Sequence, residues 1–130
     1  MSWWRGIYPN RSRAASSTTG TDWQVIATDG VGYATWGDML AAGKTPFPGN
    51  NDDLPRGVPV CLARCAGSSQ ADGDAVNIKT NTTSTPAASD VGDDLISGAG
   101  QTLILEGVAV WSVWVKRKTS GNVVILTGYY

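Results

Sequence analysis

Paired carboxylates are the side chains of this sequence with the clearest potential for chemistry. The aspartates cluster in three places: Asp52-Asp53, Asp72-Gly73-Asp74 and Asp93-Asp94. Two carboxylates that converge from separate loops can hydrolyse a glycosidic bond or bind calcium. Adjacent residues of a strand point to opposite faces, however, so neither adjacent pair converges by itself. The middle cluster lacks the acidic residue that completes an EF-hand loop. We therefore interpret these aspartates as turn formers that accept hydrogen bonds from their own backbone.

Histidine is absent from the chain, and the two cysteines are Cys61 and Cys65. Without histidine, the sequence lacks the usual general base, the commonest metal ligand and every Ser-His or Cys-His arrangement. On one continuous strand the two cysteines would lie ~13 Å apart, too far for a disulfide. We predict reduced, buried thiols, with a bridge across a tight turn or a metal shared between chains as the alternatives. A non-enzymatic protein without cofactor or metal is expected.

Aromatic residues are the more informative side chains, because the chain has six tryptophans and four tyrosines. Such residues are enriched at protein–protein interfaces, and on a β-sandwich they can also stack on sugar rings. The net charge of -1 gives no overall field that favours nucleic acid or a membrane. The cationic run from Lys116 to Lys118 next to aromatic residues is compatible with single-strand binding, but it is more typical of a solvated hairpin tip.

The stretch from Gln101 to Tyr130 carries the strongest β-strand signal. Runs of β-branched and aromatic residues flank Ser120-Gly121, which is typical of a β-hairpin with a two-residue turn. This turn pairs Val115 with Leu126. Because side chains alternate across a strand, one face is uncharged and is assigned to the core: Trp111, Val113, Val115, Val124, Leu126 and Tyr130.

The other face of the predicted hairpin mixes aromatic, aliphatic and cationic side chains. A solvated face would be more polar. Either part of this face contacts a partner, or a second sheet or a loop of the same chain folds over it. Under the first interpretation, Trp114, Lys116 and Tyr129 are interface residues.

Residues 1–22 are predicted to form an extended N-terminal arm. Pro9 interrupts a short apolar run, and a stretch rich in Ser and Thr follows it. Exposed apolar residues usually mark interfaces, so we expect the arm to dock on a neighbouring subunit; the alternative is an edge strand of its own domain. The candidate interface residues of the arm are Trp3, Trp4, Arg5, Tyr8 and Arg11.

The remaining chain predicts strands, one helix and several turns, including one at Asp29-Gly30. Residues 23–56 are expected to form a strand, a short helix and a proline-rich loop, and residues 57–130 a β-sandwich domain. Thr35 to Asp38 has the spacing of a capping box that would open a short helix over Asp38 to Ala42, and Gly43 follows as a stop signal. The segment from Asn81 to Asp90 predicts an exposed loop. The fold class is mainly β: a β-sandwich or jelly-roll-like domain with an extended N-terminal arm and one short helix.

The segments from Asp90 to Glu106 and from Val113 to Tyr130 resemble the C-terminal arrangement of small virion proteins of tailed bacteriophages. These include head decoration (cement) proteins and collar or fibre components. The resemblance implies a β-sandwich core, self-assembly, often as trimers, and docking on a capsid lattice through an N-terminal arm.

The leading hypothesis is therefore a capsid decoration protein that bridges neighbouring subunits of the phage head. Its expected partners are the major capsid protein or other virion proteins and further copies of itself. It would reside in the virion after assembly in the host cytoplasm. The alternative hypothesis is a carbohydrate- or receptor-binding module on a phage tail, collar or fibre.

Overall fold

Strands dominate the computed structural model, which describes residues 12–18, 21–49, 57–58, 60–66, 76–92, 94–96, 102–105, 109–117 and 123–129. In chain order the elements are β1 (Ser12–Thr18), β2 (Gln24–Ile26), β3 (Gly32–Tyr33), α1 (Trp36–Ala41), β4 (Val60–Ala66), β5 (Val76–Thr80), β6 (Asp94–Ile96), β7 (Thr102–Leu105), β8 (Val113–Arg117) and β9 (Val123–Tyr129). Sheet A has the strand order β1-β9-β4-β7, and sheet B has the order β3-β2-β8-β5-β6. All of these pairings are antiparallel.

The two sheets share one hydrophobic core. Cys61, Ala63, Val124 and Leu126 come from sheet A, and the fully buried valines of β5 and β8 are among those that come from sheet B. Because alternate residues of β4 and β9 in sheet A and of β5 and β8 in sheet B enter the same cluster, the sheets pack face to face. The predicted mainly β fold, a β-sandwich with one short helix, is confirmed. Cys61 is a buried thiol, and burial raises its pKa to about 12.

The predicted C-terminal hairpin is wrong, because β8 and β9 belong to different sheets. β8 lies between β2 and β5 in sheet B, whereas β9 lies between β1 and β4 in sheet A. The aliphatic residues of the two strands therefore meet in the interior of the sandwich instead of pairing side by side. Side-chain alternation does not depend on the identity of the neighbouring strand. For this reason Val113, Val115, Val124 and Leu126 are buried as predicted.

Trp111 departs from that prediction. It precedes the first residue of β8 and is 36% exposed, so it does not belong to the core. Its ring meets the ring of Trp36 edge to face, with 6.1 Å between centroids. Tyr130 lies outside the described residues.

Residues 12–18 form an edge strand, which is the alternative to a freely extended arm. β1 pairs with β9 along its whole length, from Ser12 opposite Tyr129 to Thr18 opposite Val123. Ala15 lies opposite Leu126, and both are buried in the core. β9 thereby gains a hydrogen-bonded neighbour on its second side. Residues 1–11 lie outside the described residues.

Strand pairing crosses the predicted boundary between residues 23–56 and 57–130. β2, from the preceding region, pairs with β8, and Gln24 lies opposite Val115. The proline-rich loop also contributes to the core through Phe47, whose N–H donates to the carbonyl of Ile26 at 2.8 Å.

The turn between β2 and β3 and the helix α1 occur where local sequence patterns predict them. The side chain of Thr35 caps α1 by accepting a hydrogen bond from the Asp38 N–H at 3.0 Å. The helix begins two residues earlier than the predicted start at Asp38, and Gly43 follows its end with φ of +73°. The side chain of Asp29 accepts a hydrogen bond from the Val31 N–H at 3.0 Å, which closes the turn between β2 and β3.

A second, smaller core lies on the outer side of sheet B. Val25 and Trp114 occupy paired positions of β2 and β8, and they pack with Trp23, Ala27 and Met39. Met39 belongs to α1, so the helix covers this face. The segment 81–90 adds to the cover. The carbonyl of Thr82 accepts hydrogen bonds from Trp114 Nε1 at 2.9 Å and from the Ser112 hydroxyl at 3.1 Å.

Among the residues that the structure describes, no helix has the length and apolar content required to cross a membrane.

Replacing the buried indole should test this second core. We expect Trp114→Ala to lower the free energy of unfolding by about 3–5 kcal/mol, because it leaves a large cavity and removes the hydrogen bond to Thr82. Urea unfolding followed by circular dichroism measures the change. The matched control, Trp111→Ala, should cost only about 0.5–1.5 kcal/mol, from the lost ring contact with Trp36. Equal losses in the two variants would contradict this assignment.

Candidate interaction surface

The aspartates that the structure describes with side-chain partners act in turns. Asp29 Oδ1 and Asp90 Oδ1 accept hydrogen bonds from the backbone N–H two residues ahead, those of Val31 and Gly92. Each carboxylate also pairs with a lysine: Asp29 with Lys44 at 3.0 Å and Asp90 with Lys79 at 2.5 Å. Asp29 and Asp90 therefore act as turn formers, which is the role that the sequence predicts for the clustered aspartates.

For most of the clustered aspartates, the structure does not describe the side chain. Asp52, Asp53, Asp72, Asp74 and Asp93 lie outside the described residues, and Asp94 is described only as a backbone position of β6. In the described part of the chain, no group of three or more His, Cys, Asp or Glu side chains could hold a metal ion.

Five of the eight predicted interface residues are also outside the described part of the chain: Trp3, Trp4, Arg5, Tyr8 and Arg11. Trp114 is described and is fully buried, so its assignment to a contact surface is wrong. The physical reason is that α1 and the segment 81–90 cover the side of β8 that Trp114 occupies. The segment 81–90 is thus a loop of the same chain that folds over this face, which was the predicted alternative to a partner contact.

The basic run that begins at Lys116 is not a solvated tip over its described residues. Lys116 is half-buried; its ammonium donates to the carbonyl of Ala88 and lies 6.0 Å from the ring centroid of Trp23. Arg117 is 1% exposed, and its guanidinium nitrogens have no hydrogen-bond partner among the described residues. Lys118 lies outside them. Lys116 and Arg117 therefore do not form an exposed basic patch.

Tyr129 is the one predicted interface residue that lies on an open sheet face. It is half-buried on the outer side of β9, in line with Ile125 and Thr127. Together with Arg64 and Thr102 these residues line a shallow depression of about 220 Å³.

The outer face of sheet A is poor in charge and open to solvent. Ile104 of β7 is 59% exposed, although it is a large aliphatic residue. Across the sheet, Leu62 of β4 lies in register between Ile104 and Thr127. Among the side chains that the structure describes on this face, only Arg64 is charged: Ser12, Ala14, Arg64, Thr102, Ile104, Ile125, Thr127 and Tyr129. An antiparallel sheet with a solvated face normally carries more polar side chains there.

The outer faces of the two sheets thus differ in whether other parts of the chain cover them. The outer face of sheet B is covered by α1 and by the segment 81–90 of the same chain. The outer face of sheet A keeps aliphatic and aromatic side chains within reach of solvent. Exposed apolar surface of this kind marks interaction sites. We take this face, with Tyr129 and Ile104, as the candidate interaction surface.

A second aromatic patch was missed from the sequence. Trp36 and Trp111 form their edge-to-face pair at the surface, and Leu40 of α1 is 55% exposed. Trp111 was assigned to the core, and Trp36 was assigned only to the capping motif. Trp36 is the first residue of α1 and Trp111 precedes β8, so strand alternation gives no information on the burial of either side chain.

Comparisons of the chain with protein-family models, with curated proteins and with solved structures gave no significant match.

The Lys79–Asp90 pair predicts a pH dependence of stability. The hydrogen bond from Lys79, followed by that from the Gly92 N–H, lowers the pKa of Asp90 from its ordinary value of 3.8. A lowered folded-state pKa gives stability that is present above pH ~3.8 and is lost as the pH falls through the folded value. We expect Asp90→Asn to be less stable than wild type at pH 6, with the gap closing toward pH 2.

Urea unfolding at several pH values measures that gap, and Ser89→Ala in the same segment is the control. A gap between wild type and Asp90→Asn that stays constant from pH 6 to pH 2 would rule out the ion pair as its source.

Proposed function

We propose that this chain is a bacteriophage virion structural protein, a capsid decoration or cement protein that stabilises the head by bridging neighbouring subunits. The observation that carries the proposal is the open, charge-poor outer face of sheet A with its exposed Ile104. The resemblance of the segments from Asp90 to Glu106 and from Val113 to Tyr130 to small phage virion proteins supports the same conclusion.

The mechanism is the burial of apolar surface on a neighbour, with no chemical step. At ~25 cal/mol per Å², an interface of several hundred Å² is weak in one copy but strong when a lattice repeats it. The sandwich serves as the rigid body, because both sheets contribute to one continuous core. The proposed partners are the major capsid protein or another virion protein and further copies of this chain, in a homo-oligomer that we expect to be a trimer.

β9, which carries Ile125 and Tyr129, can contact a partner through its side chains but not through a backbone edge. β9 is hydrogen-bonded on both sides, to β1 and β4, so it has no free edge. Side chains of β4, β7 and β9 instead form a surface that combines Ile104, Ile125 and Tyr129 with small hydroxyl residues. Aromatic and aliphatic residues ringed by small polar ones are typical of the centre of a protein interface.

A charge placed on this face should prevent assembly. We expect Ile104→Lys to weaken self-association and binding to phage particles roughly tenfold or more, because the partner surface would have to desolvate an ammonium group. Co-sedimentation with particles and light scattering after size-exclusion chromatography provide the two measurements.

Val91→Lys is the matched control, because Val91 is also a β-branched aliphatic residue and is 72% exposed, outside sheet A. It should bind as wild type. Circular dichroism of both variants separates loss of binding from loss of fold. Undiminished particle binding by a folded Ile104→Lys variant would refute the role of this face.

The N-terminal segment can be tested separately. Removal of residues 1–11 leaves β1 intact, because that strand begins at Ser12. We expect the truncated chain to keep its unfolding transition and to lose particle binding, since Trp3, Trp4 and Tyr8 supply apolar contacts and Arg5 and Arg11 supply charge. A longer deletion to residue 20 would also remove β1 and uncover the edge of β9. Particle binding retained by the shorter truncation would exclude the arm as an anchor.

A further inference from the structure

An open cleft of about 520 Å³ lies on the outer side of sheet B, away from the proposed assembly face. One wall comes from the residues that lead into β2 and into α1, including Asp22, Trp23 and Thr35. The other wall comes from the segment 81–90 and from β8, including Pro86 and Lys116. Its volume is within the range of small-ligand sites, roughly 300–1,000 Å³.

A buried donor without an acceptor lies in the wall of this cleft. Trp23 is 4% exposed, and its indole N–H has no hydrogen-bond partner among the described residues. By contrast, the indole N–H of Trp114 in the same core donates to the carbonyl of Thr82. A buried indole N–H normally finds a partner. Because this nitrogen is sealed from solvent, an acceptor atom of a ligand in the cleft reaches it only after the ring or its cover shifts.

The charges that line the cleft balance each other. Asp22 and Lys116 are the only acidic and basic side chains among its lining residues. The ammonium of Lys116 uses one donor on the Ala88 carbonyl, and an ammonium has three donors. The hydroxyl of Thr85, on the same lining, donates to the carbonyl of Ala34 and keeps its acceptor capacity. The lining therefore offers both donors and acceptors without a net charge.

Apolar groups line the cleft, and an aromatic pair begins one residue beyond its lining. Pro86 and alanine side chains line the cleft between its polar groups. Trp36 directly follows Thr35 of the lining, and its ring contacts the partly exposed ring of Trp111. A ligand with hydrogen-bonding groups along its edges and C–H groups on its faces would use both kinds of surface.

We propose that this cleft binds a neutral oligosaccharide. Sugar hydroxyls both donate and accept, so one ring can donate to the Asp22 carboxylate while it accepts from the Lys116 ammonium. A second sugar unit would reach the Trp36–Trp111 surface. A phosphorylated or strongly anionic ligand fits less well, because Asp22 would oppose it. This proposal does not depend on the assembly role, which uses the opposite side of the sandwich.

The test uses the full chain and a printed array of neutral and acidic oligosaccharides. We expect a neutral oligosaccharide to be retained. Titration of the best-bound array sugar, followed by tryptophan fluorescence, should be saturable. Asp22→Asn and Trp111→Ala should each raise its Kd roughly tenfold or more, because each removes a contact on a different part of the site. Asp38→Asn, an exposed acid of α1 outside the cleft lining, should leave the Kd unchanged.

Several outcomes would overturn the proposal. These are no neutral sugar bound on the array, retention of acidic sugars alone, or a Kd that is the same in wild type, Asp22→Asn and Trp111→Ala. Ile104→Lys keeps the assembly question separate. Sugar binding by that variant, together with loss of particle binding, supports both proposals, whereas loss of sugar binding by a folded Ile104→Lys variant counts against this one.

Discussion

Coverage of the outer side of sheet B is the constraint on which the rest of the molecule depends. Trp114 projects from the central strand of that sheet, away from the core between the sheets, and an indole of that size cannot remain uncovered at low cost. The chain covers it with Met39 of α1 and with the segment 81–90, which the Thr82 carbonyl fixes to the indole N–H. The helix and the segment thus have positions that neither would hold alone, since isolated helices of this length are unstable in water.

This cover has a consequence for the opposite side of the sandwich. The described residues of α1 and of the segment 81–90 are used on sheet B, and the outer face of sheet A stays open with Ile104 and Tyr129 on it. The molecule therefore has two different surfaces. One is a flat, charge-poor sheet suited to burial against another protein. The other is a layered surface whose packing leaves a cleft between the chain segments that cover the sheet.

Arg117 shows how tightly the strand pattern constrains individual residues. It belongs to the inward series of β8 together with Val113 and Val115, and it is almost completely buried. A buried guanidinium without partners among the described residues is costly in a core. Strand register placed it there, opposite Val76 of β5, in spite of its charge. This explains why Arg117 does not contribute to a basic surface patch.

The sequence by itself determined the features that depend on neighbours a few residues away. The alternation of Val113, Val115, Val124 and Leu126 predicted their burial, the Thr35 to Asp38 spacing predicted the helix cap, and Asp29-Gly30 predicted the turn. Only the tertiary structure decided that β8 and β9 join different sheets, that residues 12–18 return to their own domain, and that Trp114 is covered while Ile104 is not. These outcomes depend on contacts between distant parts of the chain. Local alternation is satisfied equally well by any neighbouring strand, so it cannot select one.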